Sequence, residues 1–515
     1  TVQATATDGS GVLSSVPVTI RDYYIAGVAW TPQSGTFELQ RLGDGRGKAG
    51  GTDFDNLGPW KDMKLCMLSE HNGYIYGEIG DEDFVTDDPY WPVMVKIPQF
   101  HYKRVYDPET GTNQFWISND SKSGFTLHPA FTHRCGKGHD HTTEIYVGAY
   151  EAGLMECEHE ECQDYDEELH LTSCSGQTPL VSKDMTNFRD YAENRTPGLW
   201  TLTDVMARDA IALLYMVEYA NLDSQAVLGK GITELRYSTD DKVTVSTSYQ
   251  NYLVVSSATA AHYRIGDYVG LGSTLGQGNR FASKRITNIT DHIGGHKRIH
   301  VADSSFSASV NDVLYHVAQL TGGCDDLNGA SGSAGGDKTS GKSAVSYRGL
   351  ENLWGNVNEF VDGINIDNYY HKQEARKPYV SNSMFWYWCN TFIVSEPCDE
   401  HGEDYYGYIP VGMTLPANSG WITNFAYAAG DDWLLMPSTT HSTDSSYIPD
   451  YYVEDWVNGE PRILAAGGDW FSGAGAGMFH RNVSPFYSYY YNDDQYVNIG
   501  ARLMFLPFRD CTVYD

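Results

Sequence analysis

The stretch "YRGLENLWGNVNEFVDGINI", Tyr347 to Ile366, is the first specific handle in this chain. A second follows near the end, "GGDWFSGAGAGMFHRNVSPFYSYYYNDDQYVNIGARLMF", Gly467 to Phe505. Its frame is regular, marked by Gly467, Gly468, Trp470, Arg481, Pro485, Gly500 and Arg502. The run from Tyr489 through Tyr490, Tyr491, Asn492 and Asp493 to Asp494 reads as neither a core strand nor an ordinary loop.

Working outward, 515 residues with 41% hydrophobic content can fill roughly two to four domain cores. Lys+Arg at 35 against Asp+Glu at 67 leaves a formal charge of −32, which repels phosphate backbones and argues against nucleic acid as a partner. No apolar run is long enough to span a bilayer, so membrane insertion is not expected. The chain opens on Thr1 without an initiator Met, as a fragment or processed product would. Nine cysteines form no disulfide framework by number, but Cys135, Cys157, Cys162 and Cys174 cluster.

Residues 1–22 alternate apolar and polar side chains around Asp8-Gly9, a β-hairpin pattern. From 23 to 234 the chain reads as short strands, "WPVMVKIPQFHYKRVYD" and "EIYVGAYEAG" among them. One strong helix follows them, with Val205, Met206, Ile211, Leu214, Met216 and Val217 near helical spacing, Thr203 or Thr201 as cap and Gly229 as its end. Residues 235–320 read as hairpins of a small inserted β-barrel. The Gly/Ser stretch "TGGCDDLNGASGSAGGDKTSGKSA" reads as a flexible return to the main domain, 321–515, and lacks the register of a phosphate loop.

The Tyr347–Ile366 stretch resembles the Gly-Asn-Val-Trp-Glu-Trp signature of the formylglycine-generating-enzyme type of C-type lectin fold, with Asn358 and Phe360 in place of the two Trp. The C-terminal "AAGGDWF...RNVSP...NIGARLMF" resembles the closing segment of the same fold, and residues 1–22 resemble the end of an immunoglobulin-like repeat. The resemblance implies an α+β class: a C-type lectin fold with an inserted small β-barrel and an N-terminal immunoglobulin-like remnant. The catalytic branch of that family needs a pair of cysteines near the end of the fold, and Gly467–Phe505 contains none. The other branch comprises the variable proteins of diversity-generating retroelements, including phage tropism determinants. There, mutation of template adenines in Asn codons reaches Tyr, Asp, His, Ser, Phe and others, but never Lys, Glu, Gln, Trp or Met. Between Ile463 and Leu503 there is no Lys and no Glu.

On that logic Trp470, Met478 and Gln495 are framework. The positions carrying allowed outcomes are Asp469, Phe471, Ser472, Phe479, His480, Asn482, Ser484, Phe486, Tyr487, Tyr489, Tyr490, Tyr491, Asn492, Asp493, Asp494, Tyr496 and Asn498. Stiff aromatic rings mixed with adaptable Ser, Asn and Asp are the chemistry of antibody binding loops, and Phe486, Tyr489, Tyr490 and Tyr491 are the expected anchors. The plainer alternative is a Tyr-rich lectin loop. By the resemblance, Asn352, Gly355, Val357 and Glu359 fall at the offsets of a structural Ca²⁺ site, with a hydrogen-bonded turn without an ion as the alternative. Cys135, His139, Cys157 and Cys162, with His141 and His159 nearby, offer Zn²⁺ ligands at a spacing unlike a standard finger; disulfides or free thiols compete with that reading. No organic cofactor and no catalytic triad can be assembled from spacing. The expectation is a non-enzymatic phage tail receptor-binding protein, exposed on the virion, that meets a host cell-surface protein or glycan. Other phage tail proteins and two further copies in a homotrimer are the expected neighbours. A bacterial surface adhesin is the runner-up, and a tail-associated glycan hydrolase the enzymatic alternative.

Overall fold

The computed structural model describes residues 2–5, 13–16, 23–69, 73–132, 141–156, 169–196, 198–302, 305–367, 375–381, 408–456, 462–485 and 497–507. Of the described residues 39% are strand and 12% helix, in several antiparallel sheets, so the α+β expectation is corrected to a mostly β protein. One conspicuous helix had outweighed many short strands, whose partners are too distant in sequence to leave a local pattern. Leu503–Phe505, for example, lies between Trp200–Leu202 and Glu144–Gly148.

The alternation in "VMVKIPQFHYKRVYD" gives two strands that separate into different sheets. Val93–Pro98 lies between Glu144–Gly148 and Lys64–Leu68 in a six-stranded sheet. His101–Asp107 pairs with Thr112–Ser118, which in turn pairs with Ile25–Trp30 in a five-stranded sheet. Near the N-terminus Val2–Thr5 pairs antiparallel with Leu13–Val16.

Helix α1 is Met185–Glu193 and helix α2 is Val205–Tyr219. The cap of α2 is Asp204, not Thr203 or Thr201: its carboxylate accepts from the Ala207 N–H at 2.8 Å, where a negative charge also meets the helix dipole. The helix ends at Ala220 in the left-handed region, φ 49°, well before Gly229. Every residue from Val205 to Glu218 is buried, so α2 has no solvent face. Its charged residues are retained inside by pairing, Glu218 with Arg348 at 2.7 Å, for instance.

Residues 243–316 form a six-stranded sheet around a core of its own that includes Leu253, Val255, Leu271 and Ile299. The sheet closes on itself: the Val243 N–H donates to Asp312 O and the Leu314 N–H to Asp241 O, both at 2.8 Å. Closure joins the two edge strands of this six-stranded sheet to each other. The Gly/Ser stretch after it is not a slack tether. The Gly322 and Cys324 N–H groups both donate to the Glu351 carboxylate, at 2.9 and 2.6 Å.

The largest sheet contains both motifs. Its long strand Asn358–Asp367, buried throughout, pairs antiparallel with Arg462–Ala466 and parallel with Ile499–Gly500, and Arg481–Asn482 joins beyond Arg462–Ala466. Among the described residues no helix is long and apolar enough to cross a membrane.

Candidate functional site

The closing segment is built on a buried charged frame. The adjacent residues Arg208 and Asp209 on α2 point to two different motifs. Arg208 donates to Glu359 Oε2 at 3.1 Å, and Arg481 donates to Asp209 Oδ1 at 2.6 Å. Arg502 completes the lattice, donating to Glu359 Oε1 at 2.8 Å and to the carbonyls of Gly148 and Glu351 at 2.8 and 2.6 Å. All five side chains are essentially without solvent contact, so the three guanidiniums are tolerable only because two carboxylates and several backbone carbonyls accept from them.

Backbone bonds fasten the segment to the first motif. Gly468 N–H donates to Asn358 Oδ1 at 3.0 Å and Trp470 N–H to Asn356 O at 3.1 Å. Gly467 has φ +99° and a Cβ there would stand 2.6 Å from Leu353 O, so a side chain is excluded on both counts. Pro485 and Asn498 are both fastened to this frame: the Pro485 carbonyl accepts from Ile463 N–H at 3.2 Å and the Asn498 carbonyl from Asn358 N–H at 2.9 Å.

The frame residues Gly467, Gly468, Trp470, Met478, Arg481, Pro485, Gly500 and Arg502 are all buried. Of the candidate contact positions, Phe471 is 43% exposed, and Ser472, Asn482, Ser484 and Asn498 are partly exposed. Phe471 stacks on Tyr237 with ring centroids 5.0 Å apart. Three others are corrected. Phe479 packs edge-on against Phe425 and Tyr215 with no exposure, because its N–H is held by Asp450 at 2.6 Å. His480 is buried with Nδ1 2.9 Å from Gly475 O, and Asp469 is buried, accepting from Asn498 Nδ2 at 2.5 Å. None of these three side chains can meet a partner from this conformation. Phe486, Tyr487, Tyr489, Tyr490, Tyr491, Asn492, Asp493, Asp494 and Tyr496 lie outside the described residues.

Asn352, Gly355, Val357 and Glu359 do come together in the turn, but they do not fit a Ca²⁺ shell. Both Glu359 oxygens face guanidinium groups, and Asn352 Oδ1 accepts from Val345 N–H at 3.3 Å. A divalent cation there would stand beside Arg208 and Arg502. The turn is held instead by buried Glu151, which accepts from Asn356 Nδ2 at 2.6 Å and Val357 N–H at 3.1 Å. Burial first, and then the Glu359 charge, push the Glu151 carboxyl far above the ordinary range. Cys135, His139, Cys157 and Cys162, with His159, lie outside the described residues; His141 is described and exposed. Cys174, a candidate disulfide partner, is a buried free thiol pushed up to about 12, by burial first. Among the described residues no three His, Cys, Asp or Glu side chains gather as a metal site.

Reasoning from spacing missed a cavity of about 530 Å³ walled by residues 79–87 together with Leu65, Tyr150, Ser175, Asp325 and Glu351. Six separate stretches of chain meet there, so nothing local announces it. Burial pushes Glu351 up to about 7 and Glu193 up to about 8, from an ordinary 4.5. Folding therefore favours their protonated forms, and the stability they contribute is full below pH 4.5 and lost as pH rises through 7 and 8. Buried His480, pushed down to about 4, works oppositely: its contribution is present above pH 6.5 and lost as pH falls through 4. Between pH 6.5 and 8 nothing from His480 offsets the carboxyls, so the thermal midpoint should fall across that interval. For Glu351 the full change is on the order of 3 kcal/mol. Glu351→Gln should flatten the fall in a melting series, while lowering the midpoint at pH 5 because its NH₂ cannot accept from a backbone N–H.

No protein-family model matches this sequence, and comparison with curated proteins finds no match.

Proposed function

We propose that the chain is a receptor-binding protein of a phage tail, which meets a host cell-surface protein or glycan through the surface carried by its closing segment. The observation that supports this most is a division of labour along Gly467–Phe505. The residues that adenine mutagenesis cannot produce or the frame requires are buried where described, while Phe471, Ser472, Asn482, Ser484 and Asn498 reach solvent. Between the two anchored ends the sequence supplies Phe486, Tyr487, Tyr489, Tyr490, Tyr491 and Tyr496, a density of aromatic anchors suited to hot-spot contacts. The resemblance to variable proteins of diversity-generating retroelements accounts for the composition, and the buried ion-pair frame accounts for how such variation is tolerated. Assembly as a homotrimer among other tail proteins would multiply weak contacts into avidity.

The test is binding to host cells by the purified chain before and after the four anchors Phe486, Tyr489, Tyr490 and Tyr491 are replaced by Ala. Loss of binding with the fold intact is the expected result. Unchanged binding would remove the segment from the role.

A further inference from the structure

We infer that the cavity between residues 79–87 and the Asp325–Glu351 region is a second binding site, and that it takes a neutral saccharide. This goes beyond the role proposed for the closing segment and does not depend on it. The size, about 530 Å³, falls within the range of ligand pockets, roughly 300–1,000 Å³. Its walls divide as a sugar requires. Leu65, Ile79, Phe84 and Val85 offer an apolar side for C–H faces. In the same lining, Asp325 gathers hydroxyl donors, Tyr150 at 2.5 Å, Ser175 at 2.6 Å and Thr86 at 3.3 Å. With their hydrogens directed at Asp325, the three hydroxyls and the carboxylate present oxygen lone pairs, which accept from the hydroxyls of a ring.

The charge of the lining selects among saccharides. Asp81, Asp87, Asp325 and Glu351 line the cavity, and among the described residues no Lys, Arg or His does. Arg502, which donates to the Glu351 carbonyl, is committed also to the Glu359 carboxylate. A sialylated or uronate ligand would bring its own negative charge against these lining carboxylates, while Lys64 and Lys96 beside the cavity loop are paired with Glu78.

A second, independent feature points the same way. Tyr76 and Trp91 stack with ring centroids 4.2 Å apart and planes 17° from parallel, and Tyr76 is 54% exposed. The stack clasps the two ends of the loop whose middle, residues 79–87, is the cavity wall. Tyr74, 73% exposed, stands beside it in sequence. Exposed aromatic faces on the segments that flank the cavity loop in sequence suit the apolar face of a sugar.

The full chain should be applied to an array of neutral oligosaccharides printed beside sialylated, uronate and deacetylated amino-sugar counterparts, with hits titrated calorimetrically. The expected result is binding to neutral members. Val85→Trp, which fills the cavity from a 42% exposed position and leaves the fold alone, should weaken it at least tenfold. Asp325→Asn and Tyr76→Ala should each weaken it as well, while the four-Ala variant of the closing segment should bind these sugars normally. The inference is overturned if no neutral saccharide binds, if only the anionic or the cationic sugars bind, or if Val85→Trp binds as the parent does. Loss in the four-Ala variant with Val85→Trp unaffected would likewise assign the sugar to the closing segment and overturn the second site.

Discussion

Asp209→Ala is expected to destabilise the chain by about 3–5 kcal/mol, enough to consume much of a typical domain's stability. The carboxylate is fully buried and is the one acidic partner of the equally buried Arg481, 2.6 Å away, among the described contacts. It also accepts the Leu435 N–H at 2.6 Å. Removing it strands a guanidinium whose remaining acceptors are the carbonyls of Met478 and His480. Replacing both members, Asp209→Leu with Arg481→Met, should cost less than Asp209→Ala alone, because no charge is left unmatched. Urea denaturation of the two variants measures this, and a single-variant loss below about 1 kcal/mol would show that the pair is not what holds the segment.

The second large effect concerns binding. Replacing Phe486, Tyr489, Tyr490 and Tyr491 by Ala should weaken attachment to host cells by ~100-fold or more, since truncated aromatic hot spots commonly cost 2 kcal/mol or above each and do not add simply. Stability should be nearly unchanged. The chain is fixed on either side of these residues by the Ile463 to Pro485 and Asn358 to Asn498 backbone bonds, and the frame beneath is closed by Arg481 and Arg502. Cell-binding titrations with circular dichroism on the same samples separate lost contact from lost fold.

What could be read in advance follows a physical line. Gly467, Trp470, Arg481 and Arg502 were legible as frame through the resemblance of their segment to a known closing motif, and the structure buries all four. Strands such as Val93–Pro98 and Glu144–Gly148 were legible from alternation. The balance of strand and helix was not, because pairs such as Trp200–Leu202 with Leu503–Phe505 join residues about three hundred apart and leave no periodicity behind. Helix α2 showed its period, but its lack of a solvent face depends on Arg348, Glu359 and Arg481 arriving from elsewhere to match its charges. Codon logic assigned Phe479, His480 and Asp469 to the contact set by residue type alone, and type does not reveal that Asp450 and Asn498 draw two of them inward. The cavity was invisible for the same reason: Tyr150, Ser175 and Asp325 meet only after folding.

The claim that a fixed frame carries a diversified binding surface is tested most directly by sequencing this gene region in many independent isolates. Substitutions should concentrate at codons 486, 487, 489–494 and 496, with Phe471, Ser472, Asn482, Ser484 and Asn498 also varying, and should match adenines in a nearby template repeat. Gly467, Trp470, Phe479, Arg481 and Arg502 should stay fixed. Changes scattered without regard to that division, or a segment identical in every isolate with no template repeat, would contradict it.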